Sequence, residues 1–137
     1  MAFTGNATCN VFKTGLLNGD FAFDTDTFKI ALYTNSATLN ADTAAYTTTG
    51  EVSGAGYTAG GNTLTATVSS SSGTSFVTFA NTSWSAALTA RGALIYKSGS
   101  GNPAVCVLDF GSDKTSTTTF TVQFPAATAT SAIIRLS

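Results

Sequence analysis

Three aspartates lie close together in the N-terminal part of the chain, at Asp20, Asp24 and Asp26. The spacing of Asp24 and Asp26 could direct two carboxylates at a hard cation such as Ca²⁺, which prefers oxygen ligands. Asp is also common in turns, because its carboxylate accepts hydrogen bonds from nearby backbone N–H groups. We favour a turn that leads into the strand predicted to follow, and we assign no metal ligand.

Enzyme chemistry has little support in the residue types. A glycosidase would need two carboxylates at a fixed separation, and the candidates are Asp109 with either Asp113 or Glu51. The chain contains no histidine, which removes the commonest general base and every Ser-His or Cys-His catalytic arrangement. We therefore predict that the protein is not an enzyme and has no catalytic, cofactor-binding or metal-binding residues.

A glycine-rich stretch, GAGYTAGG at residues 54–61, could suggest a phosphate-binding loop. No Lys-Ser/Thr pair follows it, and the strand–loop–helix context is missing. Positive φ angles and close backbone approach explain the glycines better, with Tyr57 as an anchor.

Two further groups of side chains could serve either binding or structure. Trp84, Tyr46 and Tyr33 could stack on a sugar, but lone aromatics in β domains are more often core or interface residues. Arg91, at the start of an apolar segment, is predicted to pair with a carboxylate, either Glu51 or Asp109.

The composition points to a surface made mainly of hydroxyl groups. Charged residues make up 9% of the chain and the net charge is −1, whereas Ser and Thr together number 41. A surface of this kind suits wide, permanent protein contacts, because interface cores are depleted in charge. The six Lys and Arg are scattered, so we expect no nucleic-acid binding, and no apolar run is long enough to cross a membrane.

The elements that must position these residues are predicted to be mainly strands. Residues 10–19 have helical spacing of apolar residues, with Asn10 as N-cap and Gly19 just beyond the C-terminus. Residues 27–34 alternate as a half-buried strand, with Phe28, Ile30 and Leu32 on the core face. Cys9 and Cys106 are expected to be reduced thiols, because two distant cysteines form no disulfide framework.

Residues 35–61 lack periodicity, and such a long irregular segment predicts a contact loop. After it, strand-like segments recur at the spacing expected of a sandwich or barrel. They cover residues 63–68, 75–80, 90–97, 104–110, 118–124 and 132–136, with turns predicted at 71–73, 98–103 and 111–113. The fold class predicted is a mainly all-β sandwich of jelly-roll type, with one short N-terminal helix, in a single domain spanning residues 1–137 with an N-terminal arm at 1–9.

Several segments, taken in order, resemble a family of small proteins encoded in tailed phages and prophages. They are VFKTGLLNG, DTDTFKIALYT, YTTTGEVSGAGYTAGGNTL, Trp84, ARGALIYK, LDFGSDK and the closing FTVQFPAATATSAIIRLS. Members of this family are virion structural proteins, and some related β-sandwich proteins are capsid cement or decoration proteins. The resemblance covers nearly the whole chain and implies no catalytic residues.

This resemblance implies a capsid cement protein that bridges major capsid subunits on the virion surface, after synthesis in the host bacterial cytoplasm. A homo-oligomer is expected, because closed symmetry is the usual arrangement. The predicted contact residues are Phe3 in the arm and Leu39, Tyr46, Val52 and Tyr57 in the long loop. The alternatives are a tail or baseplate component and a host-glycan-binding module.

Overall fold

Most of the strands, and the helix, follow the alternation and capping signals of the sequence. The structure, a computed structural model, describes residues 3, 5–126, 128 and 130–136. The elements are β1 (Ala7–Thr8), α1 (Asn10–Asn18), β2 (Phe28–Tyr33), β3 (Asn62–Leu64), β4 (Ala66–Ser71), β5 (Thr74–Phe79), β6 (Thr82–Trp84), β7 (Thr89–Lys97), β8 (Ala104–Thr115), β9 (Phe120–Val122) and β10 (Ile134–Leu136).

These strands form three antiparallel sheets. A five-stranded sheet has the order β1-β8-β7-β2-β3, a three-stranded sheet has the order β10-β5-β4, and β6 pairs with β9. Apolar side chains from all three sheets and from α1 meet in one core. The predicted all-β fold with a short N-terminal helix is confirmed, and the jelly-roll topology stays a prediction. No helix in the described ranges is long and apolar enough to span a bilayer.

Strand β2 is buried on both faces, so the prediction of a half-buried strand is wrong. Ala31 and Tyr33, expected on the outer face, are as inaccessible to solvent as Ile30 and Leu32 on the core face. The long loop is the reason, because it folds over this second face. Its backbone continues the sheet beside β2, where the N–H of Val52 donates to the carbonyl of Leu32 at 3.0 Å.

The ends of the helix were predicted in part. Gly19 takes the left-handed conformation at φ 82° and ends α1 as expected, whereas Cys9 and not Asn10 is the N-cap. The N–H of Cys9 donates to the carbonyl of Val105 at 2.9 Å, so a strand contact fixes the start of the helix. Both cysteines are free and buried in the structure.

Three connections differ in how well the sequence predicted them. The turn at 71–73 is confirmed, since Ser72 and Gly73 have φ angles of 52° and 81°, the pair of positive angles that a tight hairpin needs. The predicted strand 63–68 is divided instead between β3, which pairs with β2, and β4, which pairs with β5. The turn predicted at 111–113 is wrong, because β8 runs through it with a bulge opposite β7, where Gly111 has φ 85°.

Candidate functional site

The densest polar cluster surrounds the carboxylate of Glu51. Tyr46 donates its hydroxyl to Glu51 Oε1 at 2.6 Å, and Tyr57 donates to Oε2 at 2.6 Å. The backbone N–H of Gly60 also donates to Oε2, at 2.8 Å. The Tyr57 hydroxyl in turn accepts the N–H of Leu32 in β2, at 2.9 Å. The carboxylate thus joins two parts of the long loop to each other and to the five-stranded sheet.

The other two tyrosines of the chain attach the same loop from the side of the sheet. Tyr33 in β2 donates to the carbonyl of Thr47 at 2.6 Å, and Tyr96 in β7 donates to the carbonyl of Gly60 at 2.7 Å. The rings of Tyr46 and Tyr96 stack with centroids 4.8 Å apart. All four tyrosines therefore hold one loop, and we call them, with Glu51, the tyrosine cluster.

Electrostatics in the tyrosine cluster favour neutral phenols. Burial raises the pKa of Tyr33, Tyr46 and Tyr57 well above the ordinary tyrosine value, and the Glu51 carboxylate adds to the effect. Burial raises the pKa of Tyr96 to about 12, again with a contribution from Glu51. Phenols held in this state donate hydrogen bonds at neutral pH and do not act as bases, so the cluster is suited to cross-linking the fold.

Glycines make the close approach of this loop possible, as predicted for residues 54–61. Gly61 has φ 78°, and a Cβ atom there would lie 1.8 Å from the carbonyl oxygen of Ile30. The glycine-rich stretch therefore lies against the backbone of β2, directly before the residues of β3 that pair with this strand, and Tyr57 serves as its anchor.

Arg91 and Asp109 form a second, largely buried polar group. Arg91 Nε lies 3.0 Å from Asp109 Oδ1, which confirms the predicted pairing of Arg91 with a carboxylate and selects Asp109 over Glu51. The hydrogen bond from Arg91, together with one from the N–H of Gly111, lowers the pKa of the Asp109 carboxyl. The same guanidinium donates to Asn35 Oδ1 at 3.3 Å, so this pair also holds the start of the long loop.

The N-terminal aspartates form a turn, as the favoured interpretation predicted. The N–H of Ala22 donates to Asp26 Oδ2 at 2.8 Å, and Lys97 Nζ lies 3.2 Å from the same oxygen. The backbone hydrogen bond and Lys97 lower the pKa of the Asp26 carboxyl. Within the part of the chain that the structure describes, no three Asp, Glu or Cys side chains gather as a metal site.

The predicted contact residues lie mostly inside the domain, so they do not form an exposed contact surface in this conformation. Phe3, Leu39, Val52 and Tyr57 are buried in the core, and Tyr46 is half-buried in the tyrosine cluster. Tyr33 and Trp84, the other members of the possible sugar platform, are buried as well. Leu39, Val52 and Tyr57 are buried because the long loop folds onto β2, which turns its isolated apolar residues inward.

An exposed apolar surface lies on the three-stranded sheet. An apolar groove of about 330 Å³ runs between α1 and this sheet. We define the apolar groove by Leu16, Phe23, Val68, Phe76, Ile134 and Leu136. Val68 and Leu136 at its rim are 52% and 58% exposed, and Asp24 is the one charged side chain among the described residues that line it. Sequence reasoning missed this groove because its residues come from five separate segments.

Comparison with models of protein families, with curated proteins and with solved structures gave no match to this chain.

Proposed function

We propose that this chain is a non-enzymatic structural protein of a tailed-phage particle, a capsid cement protein that bridges major capsid subunits. The observation that carries the proposal is the open face of the three-stranded sheet, where the apolar groove meets a hydroxyl-rich edge. The sequence resemblance to phage virion proteins is the reason for proposing a phage particle as the assembly. Because the contact residues predicted from the sequence are mostly buried, this proposal assigns Val68 and Leu136 as the contact residues.

The edge strand β4 suits a lasting contact. All of its residues except Ala66 are exposed, and its sequence ATVSSS carries no charge. Covering hydroxyl groups involves less loss of solvation than covering charges, and covering exposed aliphatic side chains contributes about 25 cal/mol per Å². Edge strands of freely diffusing proteins are commonly protected by Lys or Pro, and β4 has neither. A neighbouring subunit that covered this face would therefore gain apolar burial at little electrostatic cost.

The mechanism follows from mass action. A protein that binds the assembled shell, and not its free subunits, shifts assembly toward the closed shell by its binding free energy. Many copies on one shell multiply this effect.

Particle binding tests the proposal directly. Purified particles, with tails removed, are mixed with the tagged chain, and the copies that sediment with DNA-filled heads are counted by quantitative immunoblotting. We expect wild type to bind and Val68→Asp or Leu136→Asp to bind at least about tenfold less, because each places a charge in an apolar contact. Leu17→Asp is the matched control, since Leu17 is 89% exposed on α1 and does not line the groove.

Two results would overturn the proposal. The chain could be absent from heads and from whole virions alike, or it could bind heads equally well with and without the two substitutions. Copies found on tails alone would move the protein from the head to the tail or baseplate.

A further inference from the structure

The described part of the N-terminal arm, residue 3 and residues 5–8, is held by a site that other elements build. Ala7 and Thr8 form β1 and pair with Val107 and Cys106 on the edge of β8. Phe3 makes a parallel bridge with Leu39. The partners of the arm are thus distant in sequence, and the arm adds to the sheet as an extra strand would.

Phe3 fills a slot that exists because β7 lacks a side chain at Gly92. A Cβ atom at Gly92 would lie 2.4 Å from Phe3 Cε2, and Phe3 is 1% exposed. The guanidinium carbon of Arg91 lies 5.8 Å from the centroid of the Phe3 ring, a distance that permits a cation–π contact. The slot therefore favours an aromatic side chain, which fills the space above Gly92 and contacts the guanidinium of Arg91.

Most of the slot belongs to the sheet, although the arm also contacts its ion pair, since the N–H of Asp109 donates to Asn6 Oδ1 at 2.6 Å. Gly92 and Arg91 lie on β7, which pairs with both β2 and β8, and the ion pair with Asp109 fixes Arg91. Gly5, between Phe3 and β1, has φ 118°, in the region that favours glycine, and its backbone hydrogen bond to the Asp109 carboxylate ties the arm to β8. A short segment that packs on the edge of a sheet can open locally, so another segment can take its place.

We propose that this edge of β8 and the Phe3 slot form a strand-accepting site, which binds the N-terminal arm of a second copy in place of its own. A second copy carries the same residues and makes the same contacts, which is the basis of segment exchange between identical subunits. The arm then links two copies of the chain. This inference is independent of the phage setting, because it concerns the purified protein alone.

A peptide of residues 1–8, labelled with a fluorophore at its C-terminal end, tests the site by fluorescence anisotropy. The receiver is the full-length Phe3→Ala variant, whose own arm competes weakly. We expect saturable binding of the wild-type peptide. A peptide with Phe3→Ala should bind at least about tenfold more weakly, because the buried ring supplies most of the apolar contact. Wild type should bind the peptide about tenfold more weakly than the variant, since its own arm is present at a high effective concentration. The Leu17→Ala chain is the control and should behave as wild type does.

Two results of this assay would overturn the proposal. One is a folded Phe3→Ala chain, with cooperative thermal unfolding, that does not bind the peptide at about 1 mM, the range of effective concentrations for short linkers. The other is equal binding of both peptides.

A second measurement uses wild type and does not depend on how well the variant folds. Wild-type chains are incubated at increasing concentration near the onset of unfolding, cooled, and analysed by sedimentation velocity. We expect a dimer fraction that rises with concentration and is about tenfold smaller for Phe3→Ala. A wild-type chain that stays monomeric throughout would overturn exchange between copies.

Discussion

Replacement of Glu51 by Gln tests whether the tyrosine cluster holds the long loop on the sheet. The substitution keeps the shape of the side chain and removes its charge. Glu51 accepts hydrogen bonds from Tyr46, Tyr57 and Gly60. A Gln oxygen placed at Oε2 keeps the Tyr57 and Gly60 bonds without charge assistance, while the Gln NH₂ group meets the Tyr46 hydroxyl, which has to turn away.

The expected loss follows from these three bonds. Hydrogen bonds to a charged group contribute about 1.5–3 kcal/mol each, and neutral ones about 0.5–1.5 kcal/mol. Removing the charge costs about 1–1.5 kcal/mol for each bond, so the three together lower the free energy of unfolding by about 3–4.5 kcal/mol, with a fall in Tm of about 9–18 °C for a chain of this length.

Urea titration followed by tryptophan fluorescence measures this change, because the single tryptophan, Trp84, is buried. Asp113→Asn is the matched control. Asp113 is exposed, and its carboxylate makes no hydrogen bond or ion pair with any described residue, so its loss should stay within about 0.5 kcal/mol. The double variant Glu51→Gln with Tyr57→Phe should lose at least about 1 kcal/mol less than the sum of the single changes, since the two residues contact each other. A Glu51→Gln chain within about 0.5 kcal/mol of wild type would refute the reasoning.

Three further predictions concern burial and backbone geometry. The free energy of unfolding should fall as the pH rises from about 9 to 12, because the unfolded chain ionises near the ordinary cysteine and tyrosine pKa values. In the folded chain, burial raises the pKa of Cys9 to about 11 and those of Cys106 and Tyr96 to about 12. A urea midpoint that stays constant over this pH range would contradict the prediction. Gly61→Ala should abolish folding or lower the free energy of unfolding by more than about 3 kcal/mol, since the new Cβ meets the Ile30 carbonyl. Gly73→Ala, at a position with positive φ but open space, should lower it by about 1 kcal/mol. Similar losses for the two variants in circular dichroism melts would count against the close approach of Gly61 to β2. Both thiols should resist a colorimetric thiol reagent in the native protein and react in urea, because both are buried, and native reaction at the rate of a free thiol would disagree with this burial.

The sequence predicted the elements whose signals are local. The left-handed Gly19 and the tight turn at 71–73 depend on neighbours along the chain, and Arg91 was predicted to pair with a carboxylate, although the sequence did not choose between Glu51 and Asp109. The bulge at Gly111 was missed because a Gly-Ser-Asp triplet has the composition of a turn, and only pairing with β7 shows that the strand continues.

The candidate site was harder to predict than the elements. The long loop has isolated apolar residues without periodicity, so its burial over β2 depends on contacts between distant segments, such as Tyr96 with Gly60. The apolar groove has the same origin, since Leu16 and Leu136 lie at opposite ends of the chain. Hydrophobic periodicity in a sequence identifies one face of a single helix or strand. The buried long loop and the apolar groove each combine residues from several elements, so periodicity does not detect them.

The pairing of β1 with β8 also sets the order of events during synthesis. The N–H of Asp109 donates to Asn6 across a separation of 103 residues. At roughly 5–20 residues per second, the ribosome needs about 5–20 seconds to supply this partner after the N-terminal segment has been made. For that interval the first strand of the chain has no sheet to join, and a segment with such a distant partner is among the last parts of the fold to close.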